Sequence, residues 1–237
     1  MPAQIPLDLP HQASHARDDI VLSGSNRLAV EAIDSWPAWR HSVLVVVGPP
    51  GSGKTHLAAA WAERAGAVPL GRGGVSALLE QADFHAVIDD IDRTDMAEDE
   101  LFAIVNAARL GGGTLLATSR RQPRELPFAL ADLRSRLAAA TVAELGAPDD
   151  ELLAGVLMKL FADRQIDIDA KALRYLTERM ERSLDEARLL VAAADREALA
   201  SKERVTRRLL KRVLDRGEEA VRHQTVVSGP YPAATEE

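Results

Sequence analysis

The 237-residue sequence predicts an α/β fold: a parallel sheet flanked by helices, followed by a small all-helical domain. Three observations predict it. Short, nearly all-apolar runs at residues 42–47, 84–89 and 114–118 read as strands buried on both faces. Helix-period segments alternate with them, and such alternation joins parallel strands through crossover helices. From residue 146 onward only helical periods remain.

Taken in order, residues 1–18 hold three prolines and no helical or strand period, and read as a flexible arm. The α/β domain is expected over residues 19–146. It opens with a helix at 25–36, whose Leu28, Ala29, Ala32 and Ile33 share one face. The first strand, 42–47, leads into a second helix that stops near Gly66. A short strand at 68–70, a helix at 75–82, the strand at 84–89, a helix at 99–110 and the strand at 114–118 follow. Pro148-Asp149-Asp150 reads as a linker and helix start. The helical domain, 147–222, has helical periods at 151–163, 170–179, 184–199 and 206–221. Asp169 is placed to cap the second of these and Ser183 the third, with Glu186 completing a capping box. Residues 223–237 read as a disordered tail.

Composition bounds the function. A hydrophobic fraction of 46% supports a real core. No cysteine is present, which excludes disulfides and thiolate metal sites, and the six histidines lack ligand spacing. Neither a membrane-length apolar run nor a signal-peptide pattern is seen, so a cytoplasmic protein with no membrane partner is expected. The net charge of −7 argues against a protein that coats duplex DNA.

The chemistry is concentrated at residues 48–55, GPPGSGKT, between the first strand and the second helix. Strand, glycine-rich loop and helix form the context of a phosphate-binding loop. Gly48, Pro49, Pro50, Gly51, Ser52 and Gly53 turn backbone N–H groups toward phosphate oxygens, helped by the positive end of the following helix. Lys54 reaches the β- and γ-phosphates, and the Thr55 hydroxyl ligates Mg²⁺. The expected cofactors are ADP or ATP with Mg²⁺.

One βα unit downstream, the strand Ala86-Val87-Ile88 ends in Asp89 and Asp90. Asp89 is expected to help hold the metal through its water shell, and Asp90 to orient an attacking water. Asp92 and Asp95 read as loop solvation. Ser119, ending the strand at 114–118, is placed either between the acids and the γ-phosphate or in an ordinary strand-end turn. Leu133-Arg134-Ser135-Arg136-Leu137 lies just before the change of domain. An arginine there could act on a neighbour's nucleotide, though spacing alone favours a surface ion pair.

The order of these elements resembles the AAA+ ATPases and, within them, the DnaA initiator clade. The stretches that carry the likeness are Gly24-Ser25-Asn26, Ile88-Asp89-Asp90-Ile91, Ala117-Thr118-Ser119-Arg120-Arg121-Gln122-Pro123 and Asp132-Leu133-Arg134-Ser135-Arg136-Leu137. The resemblance covers roughly residues 19–215. It implies that Arg136 is the finger acting in trans on a neighbouring subunit.

Three departures refine it. Nothing after the helical domain would build the DnaA helix-turn-helix domain, so no direct sequence-specific DNA binding is expected. The interval from Thr55 to Asp89 leaves little room for the initiator's single-strand-binding helices. The arm carries Gln4-Ile5-Pro6-Leu7-Asp8-Leu9, which looks like a sliding-clamp-binding peptide. A glutamine would sit at a pocket rim, with Ile5, Leu7 and Leu9 in apolar pockets.

Together these features are similar to the Hda family, DnaA-related regulators with a clamp-binding arm. That resemblance implies a nucleotide-bound protein that, with the DNA-loaded β clamp of DNA polymerase III, promotes ATP hydrolysis on DnaA and so restrains initiation. Its implied partners are the DnaA AAA+ domain, the clamp and a second copy of itself.

Two nucleotide-sensing positions depart from the clade. Arg120 stands where the clade has an acid. Asp185 stands where it has a lid arginine, flanked by Arg182 and Arg188. Arg182 or Arg188 is the expected substitute, Arg182 being counted among the nucleotide-contacting residues, and a preference for ADP or weak intrinsic hydrolysis is the expected consequence. The rival readings are a DNA-handling AAA+ ATPase using the basic run at 204–212, and a small-molecule P-loop kinase.

Overall fold

The computed structural model describes Arg17 and residues 20–81 and 83–227, with side chains as far as residue 217. The proposed clamp peptide, Gln4 to Leu9, lies outside the described residues. By contact density the chain divides into two units. One is an α/β unit of residues 28–48 and 54–144, with Arg17 and Ile20. The other is a helical unit of residues 145–227 that also takes in residues 21–27 and the loop crest 49–53.

The elements run α1 (Arg27–Asp34), β1 (Val43–Val47), α2 (Lys54–Ala65), β2 (Val68–Pro69), α3 (Val75–Leu79), β3 (Phe84–Ile88), α4 (Glu98–Ala107), β4 (Gly113–Ser119), α5 (Ala131–Ala138) and β5 (Thr141–Glu144). Then come α6 (Asp150–Ala162), α7 (Ala170–Thr177), α8 (Leu184–Ser201) and α9 (Arg207–Val227). The sheet is wholly parallel, in the order β2-β3-β4-β1-β5. Every residue of β1 is buried, as a central parallel strand requires.

This order decides the position of the site. Although β4 comes late in sequence, it lies between β1 and β3. Val47 pairs with Ser119, so β1 and β4 end together; Ile88 pairs with Ala117, so β3 ends two residues earlier and Asp89 and Asp90 follow beside the end of β4. Gly113, at the opposite end of β4, lets that strand lie close to β3: a Cβ there would be 2.1 Å from the Phe84 carbonyl oxygen. Beneath the sheet, Ile88, Leu101, Ile104, Leu115, Leu133 and Leu137 form one core with β1. Each such fully buried side chain contributes about 1.5–3 kcal/mol over exposure.

Most element boundaries differ from the sequence expectation by a residue or two. The helix expected at 99–110 ends at Ala107, and a π-type turn, with Gly111 at φ 89°, completes the connection to β4. Helix α9 runs on to Val227, past the expected end at 221 and through Gly217, with the Gly229-Pro230 pair lying beyond it in the sequence. The arginine-bearing segment after residue 130 is helix α5, and β5 follows it. Neither had been read as a regular element, because β5 is only four residues long and half exposed.

The helical unit packs around Leu153, Leu157, Phe161, Leu176, Leu190 and Leu209. Its helix starts are capped by side chains: Asp149 accepts from Leu152 N, Asp169 from Ala172 N and Ser183 from Glu186 N. Among the described residues, the reciprocal bond from Glu186 that a full capping box needs is not formed.

Candidate functional site

The loop after β1 turns through Gly51 (φ 68°) and Gly53 (φ 94°), a left-handed backbone open to glycine at little cost. Helix α2 begins at Lys54. Its Nζ donates to the Gly48 carbonyl oxygen at 2.9 Å, closing the loop on itself. Burial holds the Lys54 amine below its usual range, against the attraction of Asp90; Arg120 adds to the lowering, while Asp89 and Asp92 oppose it. The Ser52 hydroxyl is buried and has no hydrogen-bond partner among the described residues. A left-handed glycine cradle and an orphaned buried hydroxyl fit a phosphate group, the ligand such loops take.

From the first turn of α2, Thr55 Oγ1 donates to Asp89 Oδ2 at 2.9 Å. Thr118 Oγ1 donates to Asp89 Oδ1 at 2.5 Å and accepts from Asp90 N at 2.8 Å. One threonine therefore orients both acids. Thr118 was not read as a site residue, since only the insertion of β4 beside β3 brings it to them. Ser119 takes the strand-end turn, one of its two expected places, its hydroxyl donating to Arg121 O at 2.7 Å and accepting from Arg121 N at 3.0 Å.

Thr55 and Asp89 are a hard-oxygen pair. Mg²⁺ commonly uses one or two carboxylates plus phosphate oxygens and waters, so the pair fits that ion. No group of three or more His, Cys, Asp or Glu side chains able to hold a metal occurs among the described residues. The donors present therefore suit a cation that arrives with a phosphate.

Asp90 has a left-handed backbone, φ 47°, and its Oδ2 is paired with Arg120 Nη2 at 3.1 Å. The Arg120 amide donates to Asp92 Oδ1 at 3.1 Å, an exposed bond that ties this loop acid to the end of β4.

In the helical unit, the loop crest meets the start of α8. Leu184 N donates to Gly51 O at 2.8 Å, and a Cβ on Gly51 would lie 2.1 Å from Ser183 Oγ. Arg182 is held by Pro148 O at 3.2 Å and Asp150 Oδ1 at 2.7 Å. Asp185 is exposed and pairs with Arg188 at 3.1 Å, within its own helix.

The two arginines of α5 differ. Arg134 Nη1 donates to the carbonyls of Phe128 at 2.7 Å and Ala129 at 3.2 Å. Arg136 has no carboxylate partner among the described residues, and its guanidinium lies 5.0 Å from the Phe102 ring centre. Glu98 anchors the start of α5 by accepting from Ala129 N and Leu130 N at 2.8 and 2.7 Å. These bonds, Ala129's first, hold the Glu98 carboxyl below its usual range.

A phosphate-binding loop after a central parallel strand, acids after a second strand, a third strand between them that ends in Thr118 and Ser119, and a following helical unit define an AAA+ fold. The solved structure of domain III of the Thermotoga maritima replication initiation protein DnaA superposes with a TM-score of 0.71 at 18% identity, covering 85% of this chain and 95% of that one. The R170A variant of Thermotoga maritima RuvB superposes with a TM-score of 0.67 at 18% identity, covering 85% and 72%. In sequence the chain is similar to DnaA: it is 25% identical over 200 residues to the chromosomal replication initiator protein DnaA of Corynebacterium aurimucosum. That match takes in 73% of this chain but spans only 37% of the relative's length. No family model matches the chain. Among the described residues, no helix is long and apolar enough to cross a membrane.

Proposed function

We propose that this chain is a nucleotide-bound AAA+ regulator of the Hda type, acting in replication initiation. With the DNA-loaded sliding clamp, it stimulates hydrolysis of ATP held by the DnaA initiator and so restrains further initiation. The observation that carries the reading is the contrast on α5. Arg134 is tied to its own backbone, whereas Arg136 is left without a carboxylate partner among the described residues. A guanidinium so placed can meet negative charge developing on a neighbour's nucleotide.

The chain's own loop would hold ADP or ATP through residues 48–55, with Thr55 and Asp89 on Mg²⁺. The bound nucleotide supplies negative charge and a rigid frame there. Asp90 is engaged by Arg120, which favours holding nucleotide over turning it over. The arm from Gln4 to Leu9 would supply the clamp contact. The basic run at the start of α9 lends the DNA-handling alternative little support. Arg212 is paired with Glu203 at 2.8 Å and Glu197 at 3.5 Å, and Arg207 lies over Tyr175.

The test is reconstitution with ATP-bound DnaA and clamp on DNA. Arg136→Ala should lose stimulated hydrolysis by about 10³-fold, the scale of a trans arginine finger. Arg134→Ala should keep most of it. Equal stimulation by wild type and Arg136→Ala would remove the proposal. Deleting residues 4–9 should abolish co-purification with the clamp, and normal clamp binding by that deletion would remove the arm assignment.

A further inference from the structure

Arg40, Arg109 and Arg136 come from three separate stretches of the α/β unit: the segment before β1, the turn after α4, and α5. They line one pocket of about 220 Å³, together with Trp39, His41 and Ser42. No carboxylate lines it among the described residues. Arg40 has no partner among those residues. The Arg109 Nη1 donates to the Arg136 main-chain oxygen at 3.2 Å, which brings α5 and the α4 turn together while leaving both guanidinium charges uncompensated. Phe102 supports Arg136 from one side, at 5.0 Å.

The net charge is −7, yet no carboxylate is among the residues that line this pocket. Three arginine charges brought to one pocket repel one another, and an anion bound among them relieves that repulsion. Planar guanidinium forks match phosphate oxygens in pairs, and several of them around a shared space suit an anion with several phosphate groups.

We infer that this pocket is an oligophosphate-binding site formed by Arg40, Arg109 and Arg136. Its ligand has two conceivable sources, a free polyphosphate anion or the phosphate chain of a nucleotide carried by a partner protein. Only the second rests on the function proposed above.

The experiment titrates inorganic tripolyphosphate into the full chain in excess ADP, by calorimetry, for wild type, Arg40→Ala, Arg109→Ala and Arg40→Lys. Each alanine variant should bind about tenfold or more weakly, as expected for losing a hydrogen bond to a charged group, and Arg40→Lys should recover part of the loss. Because the excess ADP fills the phosphate-binding loop, tripolyphosphate binding that persists at saturating ADP places the site away from that loop. Absence of binding by wild type, undiminished binding by Arg40→Ala and Arg109→Ala, or complete displacement of tripolyphosphate by ADP would each overturn the inference.

A second arm separates the sources. If Arg40→Ala and Arg109→Ala also lower stimulated hydrolysis on DnaA, the nucleotide is the ligand. If they lose tripolyphosphate binding and leave stimulation intact, the free anion is the ligand and the pocket stands. If Arg136→Ala leaves stimulation intact while tripolyphosphate binding still needs the arginines, the proposed function falls and the pocket remains.

Discussion

Arg120 and Asp90 form an ion pair, Nη2 to Oδ2 at 3.1 Å, where β3 and β4 end side by side. Asp90 is already held by its amide on Thr118 Oγ1 and by a left-handed backbone. The pair gives the Asp90 carboxylate, proposed to orient a water, a cationic partner on the neighbouring strand end.

Arg120→Ala should therefore raise the chain's own ATP turnover. Both side chains are about one-third exposed, so the pair contributes only about 0–1 kcal/mol to stability. The melting temperature should hardly move, and single-turnover hydrolysis is the readout. Turnover no faster than wild type would mean that Asp90 is not the limiting group.

Gly51→Ala should be strongly disruptive for two separable reasons. Its φ of 68° costs a residue with a Cβ about 1 kcal/mol or more, and that Cβ would also collide with Ser183. Ser183→Ala alone removes the α8 cap, costing about 1 kcal/mol. Combining Gly51→Ala with Ser183→Gly relieves the collision and keeps the backbone strain. Urea unfolding should then place the double variant above Gly51→Ala in stability. Equal stabilities would show that Ser183 is not the obstacle.

Asp149 predicts an acid limb in the helical unit. Burial opposes its ionisation, but bonds from Leu152 N, the Ser23 hydroxyl and the amide and hydroxyl of Ser25 outweigh that and hold its pKa below the ordinary carboxyl value. A lowered folded pKa stabilises the fold at pH values above the unfolded pKa, about 3.9, and that stabilisation is lost as pH falls through the folded value. Asp149→Asn should be less stable than wild type at neutral pH, with the gap closing below about pH 4. A gap that stays constant from pH 7 to pH 3 would contradict the assignment.

Gly113→Ala tests the contact that lets β4 lie beside β3. The added methyl would fall 2.1 Å from the Phe84 carbonyl oxygen, so the strand start must shift. A loss of about 1–3 kcal/mol is expected from such overpacking. Amide exchange should quicken first at the Phe84 and Gly113 end of the strands, and protection equal to wild type there would refute the account.

Several features were legible before any coordinates because their signals are local. An apolar five-residue strand, a glycine-rich turn and an Asp or Ser before a helix each act within a few residues. Hence β1, the loop at 48–55 and the caps at Asp169 and Ser183 are where the chain's local chemistry puts them. The short β5 was missed for the same reason. Four half-exposed residues carry little pattern, and pairing with β1 makes them a strand.

What only the tertiary structure decided is which distant residues meet. Sequence alone established an α/β unit with a phosphate-binding loop, paired acids and arginines at 134 and 136. It did not set the sheet order, because hydrophobic periodicity says which face of a strand is buried and not which strand lies beside it. The insertion of β4 between β1 and β3 hands the acids to Thr118 and pairs Asp90 with Arg120. Folding also distinguishes Arg134 from Arg136, and brings Arg40 and Arg109 to the second of them from far along the chain. Charges so separated in sequence become a single site only when packing the core fixes the elements that carry them.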